Sequence, residues 1–223
     1  MLSFFKKSPG GGLDHIVHRS VTMLGDARHS FDLATLALLT GADVDAVSDD
    51  IRETDARINR AEQELRSELV VHVTVKGATD IGTVLGLILL LKKIERIGDQ
   101  AKNILDLAEG GVLLSNQPDT EAMLAQRSTV SALFAEAAEM LASAEEVPTD
   151  DYVARANTIV ADTQAKIDEF MRSDRPGHEV VPRAIYYRYL KRIVANLIGI
   201  VRTSVDPIQY ADYLDQGTVD TDD

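Results

Sequence analysis

Six stretches in which apolar residues recur at spacings of three and four, separated by short segments rich in Gly, Pro, Asp, Ser or Asn, constrain this chain to an all-α fold. No alternation of period two competes with them. The first stretch runs from about Leu13 to Leu39 and stops at Thr40-Gly41, where glycine can take the left-handed conformation that closes a helix. Asp43 is placed to cap the second, about Val44 to Val73, whose Ile51, Ile58, Leu65 and Leu69 lie opposite a charged side. Lys76-Gly77-Ala78 makes a turn, and Thr79 or Asp80 can cap a third helix that runs through Leu85, Ile88, Leu91, Ile94 and Ile97 to about Glu109, before Gly110-Gly111. Connections this short make the three helices antiparallel.

A second triplet follows the paired glycines, Ser115, Asn116 and Pro118. Its helices are expected near Glu121 to Ala144, Thr149 to Arg172 and Val180 to Val205, with breaks at Val147-Pro148 and over 173–177; Asp206-Pro207 disfavours further helix. The expected organisation is a flexible N-terminus (1–12), a first three-helix unit (13–110), a linker (111–120), a second unit (121–206) and an acidic tail (207–223). The units look like copies. Thr54-Asp55-Ala56-Arg57-Ile58-Asn59 matches Thr163-Gln164-Ala165-Lys166-Ile167-Asp168, and Leu91-Lys92-Lys93-Ile94-Glu95-Arg96-Ile97 matches Tyr187-Arg188-Tyr189-Leu190-Lys191-Arg192-Ile193. Asp55 to Glu95 spans 40 positions and Gln164 to Lys191 only 27, so the second hairpin is the shorter. Two tandem antiparallel three-helix bundles are the expected architecture.

Composition narrows the function classes. A formal net charge of −13 opposes any sequence-independent grip on a nucleic-acid backbone. The absence of cysteine removes disulfides, thiolate metal sites and thiol nucleophiles together, leaving oxygen and imidazole as the only strong metal ligands. The most apolar run, Ile81 to Leu91, falls well short of the roughly 20 residues that span a bilayer and reads as a buried core helix. The first residues, with Phe4, Phe5, Lys6 and Lys7, lack the apolar core and cleavage site of a signal peptide, so a cytoplasmic location is expected.

One constellation could carry chemistry. Glu95 and Asp99, at i and i+4, project from one helix face, and Asn103 extends the row. A second helix opposite them would present Asp55 and Asn59, also at i and i+4. Hard oxygen ligands on facing helices suit a divalent or trivalent ion (Fe, Zn, Mn or Mg), because the cation offsets the repulsion of close carboxylates. The competing reading pairs Asp99 with Arg96 or Lys102 on its own helix.

The run from Asp80 to Ile104, ending Glu-Arg-Ile-Gly-Asp…Asn-Ile, resembles the signature helix of the PhoU phosphate-regulatory family. Helix two, with Glu53, Asp55 and Asn59, is similar to that family's other acidic helix, and the six-helix duplicated layout agrees. The resemblance implies two PhoU-like three-helix bundles with metal clusters, in a homodimeric, non-enzymatic regulator of phosphate uptake and phosphate-starvation signalling. Its partners would be a phosphate transporter and a sensor kinase, and membrane contact would come through the transporter alone. The second unit departs from the pattern: Lys191 stands in the place of Glu95, Ala195 of Asp99, Gly199 of Asn103 and Gln164 of Asp55, leaving only Asp168 acidic. A metal is therefore expected in the first unit only. The alternative is a metal-free helical adaptor of the same fold, for example accessory to a sodium–phosphate cotransporter.

Elsewhere, Tyr187 with Arg183, Arg188 and Arg192 forms a basic aromatic group that could bind a partner; its bland reading is a core aromatic face with snorkelling arginines. His15 and His18 share a face, and Glu68 and His72 are spaced to pair. No HExxH, Glu-x-x-His or phosphate-cradling glycine loop accompanies them, and no nucleophile or second full ligand set stands beside Glu95 and Asp99 for a dimetal enzyme.

Overall fold

A computed structural model describes residues 12–143 and 148–205. The expectations for residues 1–11, for Ala144 and Val147 and for the tail from Asp206 onward lie outside them. Six helices form: α1 (Asp14–Thr40), α2 (Val44–Lys76), α3 (Ile81–Glu109), α4 (Thr120–Ala142), α5 (Asp150–Met171) and α6 (Gly177–Val205), with a short 3-10 turn, Gly77–Asp80, before α3. The described residues contain no strand.

Local chemistry explains most of the boundaries. Gly41 closes α1 in the left-handed region (φ 74°), and its N–H donates to the Ala37 carbonyl. Asp43 caps α2 by accepting from the Asp45 N–H. Asp80 occupies the cap position of α3 without making the expected side-chain bond, because its carboxylate accepts instead from His72 at 3.1 Å. This corrects the expected Glu68–His72 pair as well: Glu68 is held by His15 at 2.6 Å and by Arg19 at 3.1 Å. The helix α6 begins three residues earlier than expected and carries Pro182 within it.

Contacts between neighbours run in opposite chain directions, which establishes antiparallel packing. Along α1 and α2 the pairs are His15–Glu68, Arg19–Glu64, Asp26–Arg57 and His29–Asp50. Along α2 and α3 they run from Arg52–Glu109 through Asp55–Lys102, with His72–Asp80 at the turn just before α3. The two triplets do not stand apart. Each packs on its counterpart, α1 against α4 and α3 against α6, while α2 and α5 cover the outside. One apolar cluster runs through both, from Leu24, Phe31 and Leu38 of α1 through Leu87, Leu91 and Ile97 of α3 to Leu190, Val194 and Leu197 of α6.

The connection after α3 joins this packing. The Leu114 side chain is buried, its N–H donates to the Leu38 carbonyl at 3.0 Å, and its own carbonyl accepts from the Thr120 hydroxyl at 2.6 Å. Between α1 and α4, Phe31 stacks on Phe134 with ring centroids 5.4 Å apart. Asp32, Arg127, Ser131 and Arg28 form a polar clamp beside the rings. No described helix is long and apolar enough to cross a membrane.

A shared core predicts shared unfolding. Phe134→Ala is expected to cost about 3–5 kcal/mol and to lower the midpoint of a single denaturation transition followed by circular dichroism. Two separate transitions in the wild type would refute the shared core.

Candidate functional site

The long helices α2 and α3 bring most of the expected oxygen ligands to one seam, because both rows repeat every four residues. Their register allows close approach where Gly98 of α3 lies over Ile58 of α2: an added Cβ would come 3.2 Å from the isoleucine Cδ1. The charge at the centre of the seam is supplied by a lysine. The Nζ of Lys102 donates to Asp55 Oδ2 at 2.8 Å and stands 3.5 Å from Asp99 Oδ1. Asn59 donates to the same Asp55 oxygen at 3.3 Å. Asp55 is nearly buried, whereas Asp99 is 42% exposed.

Glu95 belongs to a separate pair. One oxygen accepts from Lys92 at 2.7 Å, and the other is buried without a hydrogen-bond partner. Asn103 is half-buried and makes no side-chain hydrogen bond among the described residues, and Glu53 is exposed. The seam thus gathers Asp55, with Asn59 bonded to it, and Asp99 at the Lys102 ammonium, while Glu95 pairs with Lys92 instead. Among the described residues no group of three or more histidine or acidic side chains is arranged to hold a metal ion. The pairing of Asp99 with Lys102 follows the local reading, and the reach of Lys102 across to Asp55 is the signal that spacing on one helix could not supply. Burial alone would favour the neutral amine, but the hydrogen bond and charge of Asp55, with Asp99 behind it, raise the Lys102 pKa above its ordinary value and hold the ammonium protonated.

The matching seam of α5 and α6 is built from Lys191, Gln164 and Asp168. The Nζ of Lys191 donates to Gln164 Oε1 at 2.7 Å, and Gln164 Nε2 donates to Asp168 Oδ1 at 2.8 Å. Lys191 therefore reaches Asp168 through the glutamine rather than neutralising it directly.

The basic aromatic group divides into buried and exposed halves. Arg183, only 3% exposed, donates to Asp119 at 2.9 and 3.3 Å and to the Glu179 carbonyl. Tyr187 is buried against Phe170 and Tyr186, with centroids 6.0 and 5.4 Å away, and burial pushes its hydroxyl pKa up to about 12. These two are structural, which corrects their assignment to a partner surface. Arg188 and Arg192 are exposed and form no ion pair among the described residues.

A surface feature that sequence reading missed lies at the tip of the α2–α3 hairpin. Val70, Val71, Val75, Ile81 and Leu85 are exposed, Val75 by 74%. Between Leu69 and Leu91 the chain carries, besides His72, just two acidic or basic side chains, Lys76 and Asp80, the latter paired with His72. The available signal was the valine-rich run at 70–75, whose members cannot all face inward on a helix. A groove beside it is lined by Leu13, Ile16, Val71, His72 and Val75.

Residues 21–108 match the family model described as the PhoU domain. No curated protein matches the chain, and no solved structure matches it.

The Arg183–Asp119 pair makes a testable link to pH. Burial raises the Asp119 pKa, but the hydrogen bonds and charge of Arg183 outweigh it and hold the carboxyl below its ordinary value. Its stabilisation is complete above about pH 4 and is lost as pH falls through the depressed folded value. Asp119→Asn is expected to cost about 2 kcal/mol near neutrality, less than a fully buried pair because Asp119 is 32% exposed. Thermal melts should show the gap between wild type and variant closing below pH 4.

Proposed function

Since residues 21–108 match the PhoU domain family model, we propose that the protein is a non-catalytic, cytoplasmic regulator of phosphate transport and phosphate-starvation signalling that works by docking to other proteins. The observation that carries this reading is the exposed apolar tip of the α2–α3 hairpin. A body with net charge −13 stays soluble through its acidic surface, whereas the tip offers valine, isoleucine and leucine side chains with almost no charge. Such a surface suits an uncharged helical element of the phosphate transporter, buried against it as helix packs on helix. A sensor kinase is the second partner that the family likeness supplies.

The metal-assisted form of this reading needs a cation among Asp55, Asn59, Glu95, Asp99 and Asn103. The Lys102 contacts favour the metal-free adaptor instead, since an ammonium already meets Asp55 and Asp99.

Binding to the detergent-solubilised phosphate transporter from the same cell, measured by surface plasmon resonance, tests the docking surface. Val71→Asp/Val75→Asp is expected to weaken binding at least ~10-fold and to leave Tm unchanged, since both side chains face solvent. Unchanged binding by that folded variant, or loss of binding confined to Arg188→Glu/Arg192→Glu, would reject the tip as the contact.

A further inference from the structure

Two different lysines reach matching positions in the two repeats. Asp55 of α2 corresponds to Gln164 of α5, and Asn59 to Asp168, in the aligned segments at 54–59 and 163–168. An ammonium lies against the first position of each pair, 2.8 Å from Asp55 and 2.7 Å from Gln164. The two residues of each pair, one turn apart, also hydrogen-bond: Asn59 donates to Asp55 at 3.3 Å, and Gln164 donates to Asp168 at 2.8 Å. Each trio comprises one ammonium, one carboxylate and one amide, and in the first repeat Asp99, 3.5 Å from the Lys102 ammonium, adds a second carboxylate. The carboxylate and the amide have exchanged places between the repeats.

The lysines themselves are not equivalent. Lys191 stands where the first repeat has Glu95, whereas Lys102 lies two turns further along α3, beyond Asp99. They arrive at the same point from different places on their helices. Two lysines at non-equivalent helix positions thus place a positive charge at matching points of the two seams.

We propose that in this chain each seam between a repeat's second and third helices is closed by its own lysine ammonium, Lys102 in the first and Lys191 in the second, in place of a metal ion. A metal bonded to an Asp55 oxygen would stand about 2.0–2.2 Å from it, against an ammonium already 2.8 Å from that oxygen. A protonated lysine donates and has no lone pair to offer a metal. In the second repeat the only carboxylate of the trio is Asp168, which is too few ligands for a hard cation. The side chains therefore do not fit the metal clusters that the family likeness implies. The consequence is functional: this regulator's fold, and the docking surface at the far end of the same hairpin, do not respond to metal supply.

The test uses the full chain, incubated separately with Mn(II), Zn(II) and Fe(III), desalted, and read by elemental analysis and by thermal melts with and without EDTA. The wild type is expected to retain less than about 0.1 ion per chain and to show the same Tm in every condition. Lys102→Met is expected to lose several degrees in Tm and to regain part of that loss with added Mn(II) or Zn(II), because Asp55 and Asp99 are left facing each other without a counter-charge. Lys102→Met/Asp55→Asn removes the charge pair together; it should fold and ignore metal, which keeps the comparison available where the single variant does not fold. A wild type that holds about one ion per chain and loses Tm when EDTA removes it would overturn the proposal, as would a Lys102→Met variant with unchanged Tm. Transporter binding is not read here, so either result leaves the docking assignment to its own experiment.

Discussion

The helix α3 is buried on several sides at once, and the rest of the structure is arranged by that burial. It packs against α1 and α2 of its own repeat and against α6 of the other. Leu87, Leu90, Leu91, Ile94, Ile97, Ala101, Ile104 and Leu105 are all excluded from water, so apolar area is removed on more than one face of a single helix. A helix apolar on several faces cannot sit at a surface, and its neighbours must close round it. Lys93 shows how tightly the repeats meet: it is 9% exposed and lies over Gly199 of α6, where a Cβ would come 2.8 Å from its Nζ. The missing side chain of Gly199 gives the lysine room to pass.

Around that core, the charged contacts act mainly on alignment. The helix α2 contributes apolar residues from one face, Ile51, Ile58, Leu65 and Leu69, and lies along α1 through a row of ion pairs. Most of those side chains are a third to a half exposed, and each exposed pair is worth under about 1 kcal/mol. Their value is in register. A slip of one turn would break His15–Glu68, Arg57–Asp26 and His29–Asp50 together while leaving apolar burial less affected. The Arg183–Asp119 pair, its arginine buried, does the same work at the start of α4.

The functional features follow from this division between core and surface. The first hairpin is longer than the second, and its tip extends the α2–α3 pair into a region with exposed valines. The polar seam lies farther down the same hairpin, where Lys102 bridges α3 to Asp55 of α2. Both seams are closed internally, by Lys102 against Asp55 and Asp99 in the first repeat and by Lys191 against Gln164 in the second.

The six helices were legible in the amino-acid order because an apolar period of three and four, a capping aspartate at Asp43 and a left-handed glycine at Gly41 are local properties, each decided within a few residues. The location of Asp55, Asn59, Glu95 and Asp99 on facing helices was legible for the same reason. What neutralises them was not. Lys102 meets Asp55 across 47 positions, and whether its ammonium reaches α2 depends on the register of two helices and on the closeness that Gly98 permits. His72 likewise chose Asp80 over Glu68, and Arg183 and Tyr187 turned inward, although helical spacing alone allowed the other arrangement. Sequence by itself determined which residues form helices and which face of each is apolar, since these depend on backbone geometry and neighbours in the chain. Tertiary structure decided the pairing of charges and which apolar side chains remain in water, because both depend on side chains brought together only when distant helices pack.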